Sequence, residues 1–121
     1  MEDEALDVRV LCRTEDGGEM RRVDLLLSDE LAIVRERTSG PMTMAVFGTH
    51  AHAHEVRLHA VEADAAADAA GCEYVEDLVE GFFGGGEATL LDFEDWMSER
   101  NLDFGYVSRM GDVIAFRPTS A

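Results

Sequence analysis

The sequence predicts an α+β domain, a mainly antiparallel sheet of about five strands with two helices packed on one face. Three observations carry that expectation. Apolar and polar residues alternate on both sides of an Asp-Gly turn near the start of the chain. From Asp64 the apolar period changes to three and four residues. After Asn101 short apolar runs return around Met110-Gly111-Asp112. Strands, then helices, then strands, with no internal repeat, is the order of a domain whose helices are segregated from its sheet.

Residues 1–5 read as a frayed acidic start to a single domain spanning 1–121. From Leu6 to Thr14, Leu6, Val8, Val10 and Cys12 fall on one face of a strand, with Asp7, Arg9, Leu11 and Arg13 on the other. Glu15-Asp16-Gly17-Gly18 is a hairpin turn, and Met20 to Leu27 is the returning strand. Ser28 to Arg37 reads as a short helix, although Leu31, Ile33 and Val34 also suit a strand. Ser28 would be its cap, Asp29 and Glu30 its first turn, Arg35 and Arg37 its last, and Gly40-Pro41 its stop. Met42 to Phe47 reads as a strand, and His50 to about Val61 as a longer extended segment.

Ala67, Ala70, Gly71, Tyr74, Val75, Leu78, Val79 and Phe82 then recur on one side of a single amphipathic helix over 64–83, ended by Gly84-Gly85-Gly86. A second helix runs from Phe93 to Arg100. Asp92 is its expected N-cap, Phe93, Trp96 and Met97 its inner face, and Asn101 its left-handed terminator. Phe104 to Ser108 and Val113 to Phe116 form a closing hairpin that Pro118 ends.

Charge narrows the partners. The 121 residues, enough for one domain with a real core, carry 26 acidic and 10 basic side chains, a formal net charge of −16. All the basic residues are arginine and lysine is absent. Binding nucleic acid or an anionic membrane requires clustered cations. Here the arginines are scattered along the chain, and the pairs Arg21–Arg22 and Arg35/Arg37 are flanked by acids. A large partner is therefore expected to be a basic protein, with no direct nucleic-acid or membrane contact. A homo-oligomer stays open. A GC-rich coding bias or a salt-adapted proteome produces the same composition.

Cys12 and Cys72 are far apart and read as free thiols in a reducing cytoplasm. Met1-Glu2-Asp3-Glu4 lacks the basic-then-apolar order of a signal peptide, and no apolar run approaches a membrane span. The expected location is cytoplasmic.

The sharpest candidate for chemistry is His50, His52 and His54. Alternate strand positions share a face, and three imidazoles could hold Zn²⁺ with a position open for water. Against this, alternate side chains on a strand lie about 7 Å apart, so convergence on one ion requires a bend. The same face also continues into Val56 and Leu58, which suits partly exposed strand histidines. Apart from that zinc, no cofactor is expected. The Gly81–Gly86 segment lacks the GK[ST] ending of a phosphate loop. No serine lies in a GxSxG context, and neither cysteine has an adjacent base. The sequence leans away from an enzyme.

The carboxylates remain as a collective. Asp64, Asp68, Glu73, Glu76, Asp77 and Glu80 lie off the apolar stripe of the first helix, and Asp92, Asp95 and Glu99, with Glu94, do the same on the second. Neighbours at four-residue spacing sit about 5–6 Å apart, a row of negative charge comparable to a nucleic-acid backbone. The leading expectation is a non-catalytic acidic binding protein of the DNA-mimic or inhibitor type, covering a basic, nucleic-acid-handling surface of a protein partner. The alternatives are a small metal-binding domain centred on the histidines and a salt-adapted regulatory domain.

Overall fold

The computed structural model describes residues 7–110 and 113–117, with side chains described through Ser108. The expected acidic start at 1–5, the Gly111-Asp112 turn and Pro118 lie outside the described residues. The architecture is α+β. Six antiparallel strands pair in chain order, β1 (Asp7–Asp16), β2 (Glu19–Leu27), β3 (Leu31–Ser39), β4 (Ala51–His59), β5 (Gly105–Met110) and β6 (Val113–Arg117). Four helices, instead of the two expected, accompany them: α1 (Pro41–Phe47), α2 (Ala60–Ala69), α3 (Val75–Phe83) and α4 (Leu90–Glu99). No helix among the described residues is long and apolar enough to cross a membrane.

Several expectations give way to local chemistry, among them the strand over Met42–Phe47, which is part of helix α1. Ser28 does not cap a helix. Its hydroxyl accepts from the Leu31 amide at 3.2 Å, and its own amide donates to the Leu31 carbonyl at 2.9 Å, closing the β2–β3 turn. Residues 31–39 are then a strand between β2 and β4, where the β-branched Ile33 and Val34 fit a pleated surface. Gly40-Pro41 opens a helix instead of stopping one, because proline is pre-set for the first helical position. The Glu19 carboxylate caps it, accepting from the Met42 and Thr43 amides at 2.9 and 3.3 Å. Gly40 is at φ 129°, and a Cβ there would lie 2.5 Å from the Gly18 carbonyl, so no other residue fits.

The expected 64–83 helix is two helices. Gly71, at φ 73°, terminates α2, with the Cys72 amide donating to the Ala67 carbonyl at 2.8 Å. Tyr74, predicted inside the apolar stripe, is 58% exposed at the start of α3. The last helix starts earlier than expected, with Thr89 as N-cap. Its hydroxyl accepts from the Asp92 amide while the Asp92 carboxylate accepts from the Thr89 amide, a capping box. Asn101 is left-handed at φ 58°, as expected of the terminator.

The helices share one side of the sheet. Val23, Leu25, Ala32, Val34, Val56 and Leu58 form the floor of the core. Ala63 and Ala66 of α2, Val75, Leu78, Val79 and Phe83 of α3, and Leu90, Phe93 and Met97 of α4 form its roof. Phe82, Phe83, Phe93 and Trp96 knit α3 to α4, with ring centroids 5.1–6.4 Å apart. The opposite sheet face carries no helix among the described residues, yet Leu26 and Ile33 are buried on it. The register sets Leu26 between Val8 and Ile33, and Ile33 between Leu26 and Arg57.

A bulge decides what this open face presents. Val10 pairs with Asp24 and Cys12 with Val23, leaving Leu11 unpaired. The single face predicted for Val8, Val10 and Cys12 is therefore divided. Cys12 joins the helix side, and Val8 and Val10 lie on the open side, 52% and 54% exposed.

Candidate functional site

The acids predicted to bind a partner all lie on the helix side. Asp64, Asp68, Glu73, Asp77, Glu80, Asp92, Asp95 and Glu99 are exposed and Glu76 is half-buried. From Ala60 to Asn101 the chain has twelve acidic residues and a single basic one, Arg100. Arg100 lies 4.4 Å over the Trp96 ring, near the end of the layer. The helices that carry them pack on the same face of the sheet, and ring contacts join α3 to α4.

Their surroundings differ. Glu80 is paired with Arg9 at 2.6 Å, and Asp92 is engaged in the α4 cap. Glu94, counted among the solvated acids by its spacing, instead reaches His54 at 2.5 Å. Asp64 and Glu76, with Asp7 and Asp29, line a cavity of about 450 Å³ where the β2–β3 turn meets α2 and α3. Its other walls include Leu27, Leu31, Ala63 and Val75. A recess with apolar walls and several carboxylates suits the aliphatic stem and charged head of a lysine or arginine.

The histidines are not gathered on one point. His50 lies in the bend before β4. His52 stacks on Phe47 at 3.8 Å between centroids and lies 3.3 Å from the Ser108 hydroxyl. His54 stacks on Tyr106 at 5.6 Å and contacts Glu94. The His52 and His54 rings are 6.4 Å apart. Among the described residues no group of three or more His, Cys, Asp or Glu side chains is placed to hold a metal ion. Burial holds the His52 pKa below the ordinary imidazole value, with the neighbouring His54 acting in the same direction and Glu36 opposing. His59 lies at the start of α2, where its amide donates to Glu62 at 2.8 Å.

The sequence hid one constellation entirely. Arginines scattered along the chain meet on the open sheet face. Cross-strand register places Arg13 opposite Arg22, Arg22 opposite Arg37, and Arg37 opposite Ala53. Two residues further along β2, Asp24 is 0% exposed. It accepts from Arg22 Nε at 2.8 Å and from an Arg37 terminal nitrogen at 3.1 Å, with Arg35 at 3.8 Å. Beside them Glu55 accepts twice from Arg57, at 3.0 and 2.8 Å. Strand alternation at 35 and 37 is the sequence signal for it, obscured by the helix-like start at Ser28-Asp29-Glu30.

No protein-family model, curated protein or solved structure matches this chain.

Proposed function

We propose that the chain is a non-catalytic acidic binding protein that sets its helix layer against a basic surface of a protein partner. The observation supporting this reading is the segregation of charge, twelve acids and one arginine between Ala60 and Asn101, with the predicted acids on one side of the sheet. Solvated like charges on a common side act at long range and speed encounter with an oppositely charged surface. The cavity beside Asp64 and Glu76 gives that encounter a defined anchor, a partner lysine or arginine. Nucleic-acid-handling proteins present such basic surfaces, so DNA mimicry or inhibition is the form the function takes. The setting is cytoplasmic, where Cys12 and Cys72 remain free thiols.

The test is parallel capture from host lysate with the wild-type chain and with a variant carrying Asp68→Asn, Glu73→Gln, Asp77→Asn, Asp95→Asn and Glu99→Gln. The expected result is a basic protein retained at low salt by the wild type, released by raised salt, and lost by the variant. Retrieval of nothing basic, or of the same proteins by both chains, overturns the reading.

A further inference from the structure

We propose that the open face of the sheet holds a binding site for a small oxyanion ligand, a phosphate- or carboxylate-bearing molecule, centred on Arg13, Arg22 and Arg37. These residues are successive cross-strand neighbours on β1, β2 and β3. Directly opposed side chains on a sheet lie about 5 Å apart, and like charges in that position are destabilising. The β1 bulge at Leu11 is what turns Arg13 onto this face. The strand thus breaks its regular pairing in the arrangement that places a third cation in the row.

Structural neutralisation does not account for the row. A single buried carboxylate, Asp24, is shared among Arg22, Arg35 and Arg37. Arg13 has a surface partner, Glu15, at 3.2 Å. Each guanidinium carries five N–H donors, far more than these acceptors use, and the Nε atoms of Arg35 and Arg37 are buried without a hydrogen-bond partner. Counting the described side chains of this face, Arg13, Arg22, Arg35, Arg37 and Arg57 face Glu15, Asp24 and Glu55, an excess of two positive charges on a molecule of net charge −16.

The excess borders a recess. Arg13, Arg22 and Arg37, with Met20, Ala51 and Ala53, line a cavity of about 510 Å³, within the range of small-molecule sites. Ala51 and Ala53 on β4 leave the space, the three arginines border it, and Ser39, Thr49 and His52 also line it. Guanidinium forks match phosphate and carboxylate oxygens in pairs, and Met20 and the alanines offer an apolar wall for the rest of the ligand. A polyanion is excluded by the long-range repulsion of the acidic remainder. A second copy carries the same net charge of −16 and is repelled in the same way.

The test is a titration of the full chain with pyrophosphate and, separately, succinate at ionic strength held constant with chloride. It is read as NMR shifts of the arginine Nε–H signals. The expected result is saturable shifts at Arg13, Arg22 and Arg37 but not at Arg100, with affinity about tenfold weaker in Arg13→Gln, the size of one lost charge-assisted hydrogen bond. Arg37→Gln also removes a bond to Asp24, so Arg13→Gln, whose ion pair is with the exposed Glu15, decides the matter. Tighter pyrophosphate binding assigns a phosphate ligand, and tighter succinate binding a carboxylate. Unsaturated drift of every arginine signal, or unchanged affinity in Arg13→Gln, overturns the proposal. So do shifts at these three arginines that follow protein concentration without added ligand, since they would assign the face to a second copy.

Discussion

The two sides of the sheet use charge in opposite ways. On the helix side most of the predicted acids are exposed and only a few have a partner. On the open side the charges are fewer, opposed and partly buried, and the carboxylate at their centre has no exposure. Solvated charges attract or repel at a distance and contribute little to stability singly. Buried charges act over a bond length, and losing one partner leaves the others uncompensated. Identical residue types are therefore solvated on one side and held in local contacts on the other.

The largest expected effect is Asp24→Asn. Removing the shared carboxylate leaves Arg22, Arg35 and Arg37 together without an anion. The expected cost is about 3 kcal/mol, the lower end for a broken buried pair, because the guanidinium side chains keep 25–41% exposure. Denaturant unfolding measures it. Asp77→Asn, on the helix side, is expected to change stability by no more than about 0.5 kcal/mol. Equal effects at the two positions would end the distinction between the sides.

Arg21→Ala comes next and probes the join between helices and sheet. Arg21 points to the helix side, bonding Glu36 at 2.7 Å and the carbonyls of Gly86 and Ala88 in the α3–α4 connection. Its side chain is only 15% exposed. The expected loss is about 2 kcal/mol, the range for hydrogen bonds to a charged group. Arg21→Lys is expected to recover little of it, since an ammonium does not reproduce the fork. A loss confined to faster amide exchange at Gly86–Ala88, with no global change, would make Arg21 a local loop tie only.

A smaller effect follows from His52. Its pKa is lowered in the fold, chiefly by burial, so the unfolded chain takes up the proton first as pH falls. The contribution to stability is complete above the unfolded value of about 6.5, and it is lost as pH falls through the folded value. Comparing wild type with His52→Gln isolates this from the other titrating groups. The wild type is expected to lose more stability than the variant between neutral and mildly acidic pH. Parallel pH curves would show that His52 is not held neutral by its surroundings.

How much of this was legible follows the range of each interaction. The fold class, the first hairpin and the Asn101 terminator rest on local signals. A single helix over 64–83 overreaches because Gly71 and Tyr74 fit the three-and-four spacing while Gly71 also supplies a left-handed stop. Residues 28–37 suit either element because Ser-Asp-Glu opens a turn as readily as a helix, and only pairing with β2 and β4 decides between them. Nothing in the sequence announced the bulge at Leu11, since a bulge is a property of two strands. The arginine row needs that bulge, the β3 strand and three registers together, so it emerges only in the fold. The acid rows depended on helix periodicity alone and were visible from the start.

The smallest expected effect is also the most discriminating between the sides. Asp68→Asn, in the last turn of α2, and Asp95→Asn each remove one charge from a layer of like charges, so each is expected to stabilise slightly, by a few tenths of a kcal/mol, at low salt. Screening shortens the reach of such repulsion to about 8 Å near 0.15 M salt, so the gain should vanish by about 0.2 M KCl. The penalty of Asp24→Asn should persist across the same series, because salt enters a buried cluster poorly. Unfolding midpoints of the wild type and these variants, measured from about 0.01 M to molar KCl, separate the outcomes. A wild-type midpoint that levels off near 0.2 M matches simple screening of the helix layer. One that keeps rising to molar salt would make the acidity an adaptation of the whole surface and remove the helix layer's claim to a specific partner.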